Sequence, residues 1–133
     1  MTCFWDGILR ALDNNIIIKV LDWNEKRRKP RPTEFIPLLK EKAIKTPDIY
    51  WNGNSLSEKE LDENLKRIHE LDVRTIHRGY DCSACEPYLL LISKLFMVNI
   101  KHNYNGHLIT YTNIRIMPNS KPLIFHSNRG HFW

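Results

Sequence analysis

Residues 88–111 constrain this chain more than any other stretch. Tyr88-Leu89-Leu90-Leu91-Ile92-Ser93-Lys94-Leu95-Phe96 is apolar nearly all round, which predicts a central, buried helix. Pro87 suits the first position of that helix, so it is expected to start around Pro87. Val98 to Tyr104 then alternates, Asn105-Gly106 is the favoured two-residue hairpin turn, and Leu108-Ile109-Thr110-Tyr111 returns. A helix with no polar face needs a covering layer, and a hairpin that follows it can supply one.

The flanks complete an α+β pattern. Thr2 can cap a first helix whose apolar face is Phe4, Trp5, Ile8, Leu9 and Leu12. Ile16-Ile17-Ile18-Lys19-Val20-Leu21 fits either a β-branched strand or a buried helix. Lys26-Arg27-Arg28-Lys29-Pro30-Arg31-Pro32 crowds five cations with two prolines and reads as an exposed loop. Thr33 is the expected cap of a helix reaching about Lys45, with Pro37 early enough to be tolerated and Thr46-Pro47 as the stop. Ile49-Tyr50-Trp51 is a short extended piece before an Asn52-Gly53-Asn54 turn. Ser57 and Glu60 form a capping box for a helix carrying Leu61, Leu65 and Ile68 on one face. Val73-Arg74-Thr75-Ile76 reads as a short strand and Gly79-Tyr80-Asp81 as a turn. Leu123-Ile124-Phe125-His126 is a further strand, and Arg129-Gly130 turns into an edge strand at His131. The expected architecture is a small, mostly antiparallel β-sheet with helices packed on it.

A length of 133 residues with 42% hydrophobic content suits a single domain, 1–133, whose core needs no disulfide staples. No run of eighteen apolar residues is present, so no membrane partner is expected, and no signal peptide is evident. Three cysteines, two of them only three residues apart, fit a reducing, cytoplasmic setting better than secretion. The net charge of +5 allows an acidic partner surface without requiring nucleic acid.

The strongest chemical pairing joins the two ends of the chain. A thiol in the first turn of a helix lies at the positive end of the helix dipole, which favours the thiolate. Cys3 occupies that place. His131, near the other end, is of the residue type that takes a thiol's proton and later returns it. The bland alternative is that Cys3 is a small core residue and His131 a surface strand residue.

Three stretches resemble the ovarian-tumour (OTU) family of cysteine proteases. Cys3-Phe4-Trp5 followed by Leu9-Arg10-Ala11-Leu12 is similar to the nucleophile motif. Gly79-Tyr80 through Glu86, followed by Leu89 to Ile100, is similar to the buried helix that leads into the central strands. Lys121-Pro122-Leu123-Ile124-Phe125 followed by Gly130-His131-Phe132-Trp133 is similar to the strand and turn that present the histidine. The match runs in order through nearly the whole chain and is most like compact viral members. The resemblance implies a papain-like deubiquitinase that hydrolyses the isopeptide or peptide bond after the C-terminal glycine of ubiquitin or a ubiquitin-like protein. Cys3 would be the nucleophile and His131 the general base and acid. It implies no cofactor and no metal, and the chain is expected to act as a monomer. Asn128, three residues before the histidine, is the candidate to orient it, since Trp133 stands where the family carries a polar partner.

Two other constellations compete. His77, Cys82 and Cys85 form half of a zinc site, with His69, His102 or His107 able to complete it. The Lys26–Arg31 loop could touch phosphates, with Trp23, Tyr50 and Trp51 available for stacking. The corresponding alternatives are a catalytically inactive OTU-like interaction module and a zinc-stabilised nucleic-acid-binding domain.

Overall fold

The apolar run after Cys82 forms the helix around which the other elements are arranged. The structure, a computed structural model, describes residues 2–78, 82–117 and 120–133, without the side chains of residues 77, 78 and 82–84. In chain order the elements are α1 (Cys3–Ala11), α2 (Asn14–Leu21), α3 (Pro32–Glu41), β1 (Ile49–Trp51), α4 (Glu58–Glu70), α5 (Cys82–Phe96), β2 (Ile100–Tyr104), β3 (His107–Asn113) and β4 (Leu123–Ser127). The sheet order is β1-β3-β2-β4. β3 is antiparallel to both β1 and β2, whereas β4 is parallel to β2. The molecule is therefore a small α+β fold with a mixed, four-stranded sheet.

Strand alternation divides the sheet into two faces. Ile49, Ile100, His102, Tyr111, Asn113, Phe125 and Ser127 point to the buried side. Lys101, Thr112, Ile124 and His126 point to solvent. On the buried side Tyr88, Leu89, Leu91, Ile92 and Ser93 of α5 are almost fully enclosed. The Tyr88 hydroxyl donates to the Ile68 carbonyl at 2.7 Å, tying α5 to α4. Trp5 of α1 packs edge-on against Tyr88 and Phe35, with ring centroids 4.9 and 6.3 Å apart.

Local signals place several boundaries as the sequence suggests. Ser57 Oγ accepts from Glu60 N–H at 3.2 Å while Glu60 Oε1 accepts from Ser57 N–H at 3.0 Å, completing the capping box. Asn105 and Gly106 take φ of 50° and 88°, the doubly left-handed turn that matches the twist of β2 and β3. The ambiguous 16–21 stretch is helical, because Asp13 caps it through Asn15 N–H at 2.8 Å.

Other boundaries are corrected. The helix expected from Thr33 to Lys45 runs from Pro32 to Glu41. Arg31 is its N-cap, with its N–H held by Glu34 Oε1 at 3.0 Å. It ends early because Lys42 and Ala43 N–H bond back only three residues, to Leu39 and Lys40, which tightens the last turn. Residues 73–76 are not a strand but part of a 3-10 helix, Val73–Arg78. Asp72 nucleates it: Oδ1 accepts from Arg74 N–H at 2.9 Å, and the carbonyl accepts from the Thr75 hydroxyl at 2.7 Å. α5 starts at Cys82, not near Pro87, which lies inside it. At that depth proline forgoes the one bond to the Ser83 carbonyl, and burial of the following turns offsets it. The edge strand expected at His131 is a single bridge, Ser127 to Phe132. The Gly79-Tyr80-Asp81 turn lies outside the described residues.

Asp48, just before β1, ties the halves together. Its carboxylate is 6% exposed and accepts from Lys94 Nζ of α5 at 2.8 and 3.0 Å and from Arg115 Nε after β3 at 3.0 Å. Burial pushes this carboxyl up, but the hydrogen bonds from Lys94 and Arg115 outweigh it and hold it below its ordinary 3.8. Asp48→Asn should lower unfolding stability in urea by about 2 kcal/mol at neutral pH, since a half-buried ammonium loses its counter-charge. The wild-type advantage should persist down to about pH 4 and fade only below it, as the carboxylate protonates.

Candidate functional site

The two ends of the chain meet through Phe132. Its ring is 1% exposed and lies 4.8 Å from the Phe4 ring, 5.1 Å from Phe125 and 5.4 Å from His102. Gly7 is what permits the approach, since a Cβ at that position would stand 3.0 Å from Phe132 Cδ1 and Cε1. Cys3 is one helical turn before Gly7, so it lies on α1 beside the Phe4 and Gly7 positions that Phe132 covers. This segment is held on β4 by mutual backbone bonds between His126 and Trp133, each 2.8 Å.

Cys3 is 9% exposed in the first turn of α1. Thr2 stands at the N-cap position, yet its hydroxyl donates to Asp6 Oδ2 at 2.7 Å, and no side chain caps the helix. The N-terminal turn around the thiol is thus left without a side-chain acceptor. His131 alternates with Phe132 and faces outward. Its imidazole stacks on Trp133 with centroids 5.6 Å apart and planes 18° apart, and no hydrogen bond joins it to the Cys3 thiol. The structure brings the two segments together without placing the two reactive groups in contact.

Asn128 does not orient the His131 ring. Its Oδ1 accepts from Gly130 N–H and His131 N–H, both at 2.9 Å, and so fixes the turn before the histidine. The side chain acts on the His131 backbone.

Gly7 was silent in the sequence as a site residue, and His102 was considered there only as a possible fourth zinc ligand. His102 is fully buried beneath Phe132, with Nε2 2.6 Å from Ser127 Oγ and with Nδ1 lacking a hydrogen-bond partner. Burial, with a smaller push from His126, lowers this imidazole from 6.5 to about 4. Its inward parity on β2 was the available signal. For Gly7 the signal was a glycine within an apolar helix, which costs about 1 kcal/mol against alanine and so calls for a packing reason.

The zinc proposal finds no support where it can be checked. No group of three or more His, Cys, Asp or Glu side chains suited to a metal occurs among the described residues. The His77 and Cys82 side chains lie outside them. Cys85 is buried, and neither it nor Cys3 forms a disulfide. The basic loop is partly engaged with the fold. Arg28 makes a two-pronged pair with Glu34 at 2.8 and 3.1 Å and lies 5.1 Å over the Trp23 ring. Lys29 Nζ donates to the Leu9 carbonyl at 2.7 Å, and Pro30 is buried, so the segment is not purely an exposed loop. No described helix is long and apolar enough to cross a membrane.

Comparison with known proteins gives no match to a family model, to a curated protein or to a solved structure.

Two measurements check this geometry. Gly7→Ala should destabilise the protein by roughly 1–2 kcal/mol, because an enclosed ring cannot yield to the new methyl. In a Phe132→Ala background the same change should stabilise, because only the helix-propensity gain remains. For His102, the folded state binds its proton less readily than the unfolded state does. The associated stability is complete above about pH 6.5 and is lost as pH falls through about 4, at up to about 1.4 kcal/mol per pH unit. Replacing it by glutamine, which can still bond Ser127 but does not titrate, should remove roughly 3 kcal/mol of that acid sensitivity in urea titrations at pH 7 and 4.

Proposed function

We propose that this chain is a cysteine-dependent deubiquitinase of the OTU type, with Cys3 as nucleophile and His131 as general base and acid. The observation that carries the reading is the seating of Phe132 on Phe4 and Gly7. It makes neighbours of a helix that starts with a thiol and a turn that ends with an imidazole.

The chemistry follows from those two groups. His131 removes the thiol proton, and Cys3 sulfur attacks the carbonyl carbon of the glycine that ends ubiquitin or a ubiquitin-like protein. Backbone N–H groups in the uncapped first turn of α1 are suited to stabilise the resulting oxyanion, and such donors are worth roughly 2.7–4 kcal/mol apiece in other hydrolases. The protonated imidazole then gives its proton to the departing lysine amine. Water, deprotonated by the same imidazole, hydrolyses the thioester and restores the thiol. His131 stands on the opposite side of its segment from Phe132, so the turn that carries it would have to rearrange, and not only its side chain, for the imidazole to reach sulfur when the tail is bound.

A second reading has its own observation. The stacked imidazole without a bond to the thiol, and Asn128 committed to the backbone, fit a non-catalytic module that binds ubiquitin on the same fold. A ubiquitin probe with a thiol-reactive C-terminus separates the two. The enzyme reading predicts covalent labelling that Cys3→Ala abolishes and that His131→Ala slows by about a hundredfold or more. Saturable ubiquitin binding without labelling, unaffected by Cys3→Ala, would establish the module instead.

A further inference from the structure

We propose that the open face of the sheet binds single-stranded nucleic acid. Bases would stack beside the aromatic ladder at the C-terminal edge, and Lys101, Lys121 and Arg129 would hold phosphates.

Charge is the first argument. All fifteen carboxylate residues lie within residues 1–86, together with fifteen of the twenty lysines and arginines. Residues 87–133 therefore carry the whole formal net charge of +5 and no acid. Lys94 and Arg115 share the single carboxylate of Asp48. Lys101, Lys121 and Arg129 have no ion-pair or hydrogen-bond partner for their cationic groups among the described residues. They follow β4: Lys121 precedes it, Lys101 is in register with Ile124, and Arg129 lies in the turn beyond. A polyanion is the complementary partner.

Shape is the second. The helices that pack on the sheet cover its other face. Here Ile124 is 59% and Trp133 49% exposed. Trp133 stacks on His126 and on His131, with centroids 5.8 and 5.6 Å apart and planes within 20°. Parallel rings standing off a flat sheet beside unpaired cations suit bases and phosphates at once. An acidic peptide would use the charges and leave the rings idle. The Lys26–Arg31 run is a poorer footprint, because Arg28 and Lys29 are already bound within the fold.

The test is fluorescence anisotropy of the full chain with a labelled single-stranded RNA of roughly ten nucleotides. Saturable binding is expected. With three phosphates contacted at about 0.7 of a salt-slope unit each, affinity should fall about twentyfold between roughly 50 and 200 mM salt. Lys101→Ala should reduce that slope by about 0.7, while Trp133→Ala should weaken binding about tenfold and leave the slope unchanged. Circular dichroism and melting should show both variants folded, since both side chains face solvent. Lys101→Ala should still be labelled by the ubiquitin probe, so hydrolysis and this binding can fail separately. The proposal is overturned by absence of saturation at about 50 mM salt, by a Trp133→Ala variant that binds like wild type, or by polyglutamate competing as well as RNA. The last result would assign the face to an acidic protein segment.

Discussion

Phe132 resting against Gly7 and Phe4 is the contact on which the arrangement of this molecule depends. It is a contact of shape: an enclosed aromatic ring occupies the space where any side chain at position 7 would stand. The β2–β3 hairpin and α5 do not depend on it, since the hairpin's pairing is local and α5 is enclosed by other elements as well. What would be lost is the junction of the chain ends, and with it any chemistry needing a helix-start thiol and a turn-borne imidazole together. Beneath the contact lies His102, a polar group kept neutral by its surroundings, so the support of the C-terminal segment weakens where acid can charge it.

Polar side chains in this fold mostly serve the backbone. Asn113 Nδ2 donates to the Ser93 carbonyl at 3.1 Å, and Ser93 Oγ donates to Val98 at 2.6 Å, closing the turn between α5 and β2. Met97, with φ of 54°, supplies the left-handed step in that turn. Asn128 does the same at the other end of the sheet. These short polar residues fix where strands begin and in what register, and that in turn decides which side chains reach solvent on the open face.

Local chemistry was legible in the sequence and tertiary chemistry was not. Asn105-Gly106 and Ser57–Glu60 specify their structures through bonds within four residues, and both formed as expected. Val73–Ile76 misled because β-branching outweighed Asp72, whose oxygens begin a tight helical turn instead. Pro87 misled because a proline can sit inside a helix when the turns after it are buried. Asn128 was read as a partner for an imidazole, although in a turn its nearest donors are its own backbone amides. Gly7 and His102 acquire meaning only from Phe132, which lies far away in the sequence. No pattern within a window of ten residues could have announced it. The pairing of Cys3 with His131 was an expectation from residue chemistry and from the family resemblance, and the structure brings their segments together while leaving the imidazole stacked on Trp133.

The junction of the two ends also sets an order of assembly. Residues 4 and 132 are nearly the full length of the chain apart, so loop-closure entropy makes their meeting one of the least probable early contacts. During synthesis α1 precedes Phe132 by more than a hundred residues, so it has no aromatic lid until the segment after β4 has been made. Its Phe4 and Gly7 face stays uncovered until then, and a nascent chain would present that face to chaperones in the interval.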